Sequence, residues 1–299
     1  MHGWIIIDKP VGPGSTQIVS AVKRALKMGG YGKHKVGHGG TLDPLASGVL
    51  PVAIGEATKL AGRMLDANKT YEFTIGFGTE TDTLDAEGKV VATSGVNPGR
   101  DALDAILPRF TGDIEQVPPA YSALKIDGER AYDRARAGEA FEIKTRPVTI
   151  HSLSVLSTTS GEATLASSVS KGTYIRSLAR DISRALGTVG HVIMLRRTKA
   201  GPFTLSSSIS LDKLEELAKG QRLEKALLPL TAGLDDIPAL SVTPDQARAL
   251  REGRKLIGIA APTGLNLAIE GSTPVALVEA QDREIRVVRG FNLMSKEEE

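Results

Sequence analysis

No cysteine occurs in the chain, which excludes disulfides, thiolate metal sites and a cysteine nucleophile together. The zinc deaminases that act on nucleobases need cysteine ligands and fall with them. The five histidines (His2, His34, His38, His151, His191) show no HExxH or comparable spacing, so no metal site is expected. No apolar run approaches the roughly 18 residues of a membrane span. The opening MHGWIIIDKP reaches Asp8 too soon for a signal peptide, so a cytoplasmic protein with no membrane association is expected. The glycine-rich pieces GPGS, GGYGK and GHGGT complete neither GxxxxGK[ST] nor GxGxxG, which leaves a nucleotide cradle without its signature. GxSxG is missing as well, so an α/β-hydrolase has no anchor. There is no internal repeat and no low-complexity segment.

What is present is ordinary in bulk and uneven in detail. The 299 residues, 41% hydrophobic and 24% charged, suffice for one large domain and a small one. Net charge is only +2, yet no acid lies between Asp8 and Asp43, an interval that holds Lys9, Lys23, Arg24, Lys27, Lys33 and Lys35. A second basic stretch carries Lys171, Arg176, Arg180, Arg184, Arg196, Arg197 and Lys199 against Asp181 alone. On one shared face these cations would attract a polyanion and release its counterions; two solvated helix faces are the competing reading.

Patterning places several of these residues. Trp4 to Ile7 reads as a short buried strand running into Pro10, Gly12, Pro13 and Gly14. Ser15 or Thr16 offers an N-cap for a helix to about Met28, with Ile18, Val19, Val22 and Leu26 as its apolar stripe and Lys23 and Lys27 off it. Alternation from Lys69 to Gly78 sets Tyr71, Phe73, Ile75 and Phe77 on one face of a strand. Ile175, Leu178, Ala179, Ile182 and Leu186 make a second helix ending at Gly187, with Arg176, Arg180 and Arg184 on its other face. Strands mixed with helices, without regular βα alternation, predict an α+β fold. From about residue 237 short strand-like runs, Pro274 to Ala280 and Glu284 to Phe291, predict a small β-rich unit, with the boundary near Asp235, Asp236 and Pro238.

One carboxylate stands apart. Asp43 lies in GHGGTLDPLASG, with no acidic neighbour until Glu56, and turn chemistry before Pro44 explains an aspartate there without any function. The surrounding segments resemble a known family, the bacterial tRNA pseudouridine-55 synthases. The likeness is carried by DKPVGPGST (8–16), GHGGTLDPLASGVLPVAIGEATK (37–59), KTYEF (69–73), TDTLDAEG (81–88), PPAYSALKIDGERAY (118–132), SKGTYIRSLARDI (170–182) and HVIMLRR (191–197), in family order.

The resemblance implies a pseudouridine synthase fold, a mixed, largely antiparallel sheet flanked by helices over residues 1–236. It also implies an RNA-clamping insertion at about 118–148 and a PUA-like RNA-binding domain at 237–299. The implied activity is isomerisation of uridine 55 in the T-loop of tRNA, by base flipping and without cofactor, guide RNA or obligate protein partner. It makes Asp43 the nucleophile, toward either C1′ of the ribose or C6 of the ring. Tyr71 stacks on the base and is a candidate general base, and Arg176 pairs with Asp43 through a bidentate fork. Tyr174 and Leu195 line the uracil pocket, and His38 fills the gap left by extruded bases. Lys9, Lys23, Lys27, Arg180, Arg184, Arg196 and Lys199 are candidates for holding RNA backbone. The glycines of the Asp43 loop would let its backbone approach the nucleotide, and Gly39 stands where some members carry threonine. The alternative is a non-catalytic tRNA-binding or RNA-folding protein using the same basic face.

Overall fold

The first strand, Gly3–Lys9, shows why an unbroken apolar run belongs here: Ile5 and Ile7 join one buried cluster while Trp4 and Ile6 join another on the opposite face. A strand covered on both faces needs apolar residues at every position rather than alternation. The computed structural model describes residues 1–122, 124–126, 128–139 and 141–293. They form a nine-stranded sheet whose main path runs Gly3–Lys9, Ala46–Ile54, Gly190–Ala200, Lys69–Phe77, Glu162–Val169, Arg146–Thr159, Gly112–Gln116. Each neighbouring pair is antiparallel except Ala46–Ile54 with Gly190–Ala200, which is parallel.

Helices Ser15–Met28, Ile175–Ala185 and Leu211–Lys219 bury their apolar stripes against one face of this sheet, through Ile18, Val22 and Leu26, Leu178 and Ile182, and Leu214 and Leu217. The first of these helices begins as expected, but by a different device. Gly14 occupies the N-cap position and its N–H donates to Gln17 Oε1 (2.7 Å), while Ser15 is already helical. Released from capping, the Ser15 hydroxyl faces the Asp43 loop, where it accepts from the Leu42 N–H (2.8 Å) and donates to the Leu42 carbonyl (3.0 Å).

A five-stranded sheet follows, ordered Ala239–Ser241, Gly264–Glu270, Thr273–Gln281, Glu284–Gly290, Leu256–Ile257, with helix Pro244–Arg251 packed on it. Both strand-like runs expected in this region are strands. The second sheet shares a core with the first: Leu267, Leu277 and Phe291 pack in one cluster with Trp4, Ile6, Val49, Met64 and Phe203. Residues 294–299 of the expected C-terminal unit, and 123, 127 and 140 of the expected insertion, lie outside the described residues. Among the described residues no helix is long and apolar enough to cross a membrane.

Candidate active site

Asp43 sits on the loop between the short strand Val36–His38 and strand Ala46–Ile54, and the rest of that loop is tied down carbonyl by carbonyl. The Arg197 guanidinium, 1% exposed, donates to the carbonyls of Gly40 (3.1 Å), Thr41 (3.3 Å) and Val49 (2.8 Å). Ser15 holds both backbone groups of Leu42. On the far side of the aspartate, the Lys9 ammonium donates to Pro10 (2.8 Å), Pro44 (3.2 Å) and Ala46 (2.6 Å). The Asp43 carbonyl accepts from the Ala46 N–H (3.1 Å). Buried carbonyls need donors, and here cations supply them, so the loop is fixed from beneath while the Asp43 side chain stays 40% exposed above.

That side chain opens into a cavity of about 300 Å³. Asp43, Tyr71, Tyr174, Leu195 and Arg176 all line it, so five residues to which the resemblance gives roles come together from four separated segments. Tyr71 and Leu195 come from adjacent strands, Lys69–Phe77 and Gly190–Ala200; Arg176 comes from the first turn of helix Ile175–Ala185. Arg176 Nη2 stands 3.0 Å from Asp43 Oδ2. The fork is not bidentate to Asp43, because Nη1 turns to Asp85 Oδ2 at 3.3 Å, and the two amino groups also donate to the carbonyls of Thr83 (2.9 Å) and Tyr121 (3.0 Å). Arg176 is 6% exposed and Asp85 3%, so they form a buried pair from which one guanidinium end reaches the cavity.

Tyr174 is held through its backbone. Gln116, 1% exposed, donates from Nε2 to the Tyr174 carbonyl (3.1 Å) and accepts the Tyr174 N–H at Oε1 (2.8 Å). His38 does not line the cavity. It ends the short strand leading into the loop, its Nδ1 is buried without a partner, and burial, reinforced by Arg197, lowers its pKa.

The basic residues divide sharply. Lys9, expected among the phosphate contacts, is 0% exposed with its ammonium committed to three carbonyls, so it supports the loop from inside and reaches no phosphate. Burial pushes its pKa down to about 8, against the opposing pull of Asp43. Arg180 bonds Asp181 (2.8 Å) and the Val117 carbonyl (3.2 Å), Arg184 bonds Glu80 (2.8 Å), and Arg196 bonds Asp8 (2.8 Å). Lys23, Lys27 and Lys199 are exposed, and none of the three lines the cavity. The loop glycines also answer to the protein. A Cβ on Gly39 would fall 2.5 Å from Met64 Cβ, and one on Gly48 (φ +103°) would fall 2.1 Å from the Arg197 carbonyl oxygen. They make room for Met64 and Arg197, and a threonine at 39 would meet Met64.

Four residues at the site were not singled out from the sequence: Asp85, Arg197, Lys69 and Ser122. Lys69 lines the cavity with its ammonium on the carbonyls of Leu65 (2.5 Å) and Ala67 (2.6 Å), its pKa pushed down to about 8 by burial. Ser122 Oγ is buried without a partner. All four fall inside the segments that carry the family resemblance, and Arg197 also counted among the charges of the second basic stretch.

Comparison with known proteins decides the family. A model described as TruB family pseudouridylate synthase (N terminal domain) matches residues 24–175, and one described as tRNA pseudouridylate synthase B C-terminal domain matches 176–235. The chain belongs to the TruB family of pseudouridylate synthases. It is an enzyme of the isomerase class, a pseudouridine synthase. The chain is 62% identical over 298 residues to tRNA pseudouridine synthase B of Novosphingobium aromaticivorans, covering 98% of each chain. It is 60% identical over 292 residues to that of Zymomonas mobilis, covering 98% of this chain and 96% of the other. Among solved structures it resembles one from a Cbf5-Nop10-Gar1 complex, with TM-score 0.75, 26% identity, and coverage of 99% and 86%. The second TruB family match ends at residue 235, so the five-stranded sheet lies beyond it.

Proposed function

We propose that this chain converts uridine 55 in the T-loop of tRNA to pseudouridine, with Asp43 as nucleophile and no cofactor. The observation that carries the reading is the Asp43 carboxylate, 3.0 Å from a buried arginine, inside a cavity walled by Tyr71, Tyr174 and Leu195. Relatives named tRNA pseudouridine synthase B support tRNA as the substrate. The T-loop position rests on the motifs of the resemblance. In the reaction the N1–C1′ bond breaks, the uracil turns, and a C5–C1′ bond forms; C5 loses a proton and N1 gains one. Atoms and electrons balance within the nucleotide, so no redox partner is required.

Each group has a task in this scheme. The tethered loop holds Asp43 still, and Arg176 Nη2 orients its carboxylate toward the nucleotide, which is the preorganisation nucleophilic catalysis needs. Tyr71 stacks on the flipped base and is the candidate general base for a ribose C2′ proton if attack falls on C1′. Tyr174 and Leu195 enclose the uracil and keep water from the intermediate. Asp85 and the Thr83 and Tyr121 carbonyls fix the inner end of Arg176.

The enzyme acts in the cytoplasm as a single chain without guide RNA, and residues 237–299 serve as a PUA-like RNA-binding unit beside the 1–236 catalytic domain. The insertion at about 118–148 clamps the RNA. The test is a T-arm transcript incubated with purified protein alone. Pseudouridine forms at the T-loop uridine with the wild type, and Asp43→Asn abolishes it while tRNA affinity stays within about tenfold. A wild type that forms none favours the non-catalytic tRNA-binding reading; an Asn variant with full rate removes Asp43 from the chemistry.

A further inference from the structure

Among the described residues around the cavity the arginines are committed to partners within the protein, with one exception. Arg146, at the start of strand Arg146–Thr159, makes no hydrogen bond or ion pair among the described residues, and its Nε is buried without a partner. Its guanidinium carbon lies 4.9 Å from the centre of the Tyr174 ring, the same ring that lines the Asp43 cavity. On another side is Gly172, with φ +77°, where a Cβ would come 3.8 Å from the guanidinium carbon and Nη1. The backbone of that loop therefore passes the guanidinium without a side chain to cover it.

A half-buried arginine with no acceptor is unusual, because guanidinium desolvation is normally offset by a carboxylate or carbonyls. Stacking on Tyr174 compensates only the flat face of the group and leaves its in-plane donors free. The Tyr174 backbone is held by two bonds with Gln116, one donated and one accepted by the Gln116 side chain, so the ring that Arg146 stacks on is anchored at its base beside the pocket. A planar fork with free donors, beside a pocket that receives a base, matches the geometry of a phosphodiester. A nucleotide with its base in this cavity would have its phosphates outside it, on the side where the Arg146 guanidinium borders the Tyr174 ring.

We propose that Arg146 is a phosphodiester-binding site of the enzyme, gripping the RNA backbone next to the target uridine while its stacked face braces Tyr174. This rests on the reading of the cavity as the uridine site. It also reassigns the role expected of the long basic stretches: near the cavity Lys9, Arg180, Arg184 and Arg196 are spent on internal partners, whereas Arg146 is free.

The experiment uses the full chain and a T-arm stem-loop RNA carrying single methylphosphonate linkages, one at a time, around the target uridine. Arg146→Met raises KM and the dissociation constant about five- to tenfold with kcat within about threefold, and lowers the slope of log affinity against log salt by about one. One methylphosphonate weakens wild-type binding by a similar factor and leaves Arg146→Met unaffected at that position, because the two changes remove the same contact. Arg146→Lys, which keeps the charge without the fork, binds a few-fold less tightly and retains part of the sensitivity at the same linkage; it serves as the test if the Met variant does not fold. Unchanged affinity in the variants, additive losses at every linkage, or a fall in kcat with unchanged KM would each overturn the phosphate site, the last by assigning Arg146 to positioning Tyr174 alone. Conversion of the unmodified stem-loop by the wild type is scored separately: its absence overturns the uridine-site reading itself rather than the assignment of Arg146.

Discussion

Asp43 and Asp85 compete for one guanidinium, and the competition sets where Arg176 points. Asp85 also accepts from the Thr83 hydroxyl (2.5 Å) and the Glu87 N–H (3.1 Å), so it is the rigid partner and Asp43 the exposed one. Removing one member of a buried pair leaves the other uncompensated, typically at about 3–5 kcal/mol. Asp85→Ala is expected to lower stability by about 3 kcal/mol and kcat by one to two orders of magnitude with little change in KM, read by thermal unfolding and single-turnover assays. Asp85→Asn, which still accepts from Thr83 and Glu87, recovers most of the stability and less of the rate. If the Asn variant turns over like wild type, the Asp85 charge has no part in aiming Arg176. The sequence made Asp43 and Arg176 legible through motif resemblance, because their residue types sit in segments specific to the family. Lys9 was misread for a physical reason: a list of charges carries no direction, and this one points inward to the carbonyls of Pro10, Pro44 and Ala46.

Elements with strong local periodicity were readable in advance. The stripe Ile18, Val19, Val22, Leu26 gave the helix Ser15–Met28 to within two residues, and alternation gave strand Lys69–Phe77. Pairings between strands distant in sequence were not readable, since periodicity fixes a strand's faces but not its neighbour. The parallel pair of Ala46–Ile54 with Gly190–Ala200 is the case that matters, for it sets Gly48 opposite Arg197 and so carries Arg197 beneath the Asp43 loop. Gly48→Ala puts a Cβ against a backbone oxygen that has no rotamer to yield, at a φ that alanine rarely adopts. A loss of at least about 3 kcal/mol is expected, seen as a lower thermal midpoint or insoluble expression. Gly62→Ala, within helix Ala61–Asp66 and with nothing within 4 Å of the new methyl group, is the control and should be neutral or stabilising by up to about 1 kcal/mol. Equal effects at the two positions would mean that the strand pair tolerates displacement.

At the scale of the whole molecule, the second sheet is bound to the first by a core rather than by a tether. Leu267, Leu277 and Phe291 are 3%, 6% and 2% exposed within the cluster that holds Trp4, and Lys59 Nζ donates to the Gly290 carbonyl (2.9 Å) while the Asn292 N–H donates to Glu56 (2.7 Å). At about 1.5–3 kcal/mol for each large apolar side chain, three such residues tie the two sheets together by up to roughly 5–9 kcal/mol. Strand pattern in the sequence marked strands of the second sheet but not that its core continues into the first, because the residues that join them are far apart in the chain. Trp4 is the single tryptophan and lies in the first strand, within the cluster shared with the second sheet, so its fluorescence reports the junction of the two sheets. Leu277→Ala, a change in the second sheet, is expected to cost about 2–5 kcal/mol and to move the Trp4 unfolding midpoint in urea to lower concentration, in step with far-ultraviolet circular dichroism. Independent units would instead leave the Trp4 transition where it was and give a second, earlier transition by dichroism. A coupled response means that the second sheet is held in fixed register with Asp43, since a shared core transmits position where a linker would lose it.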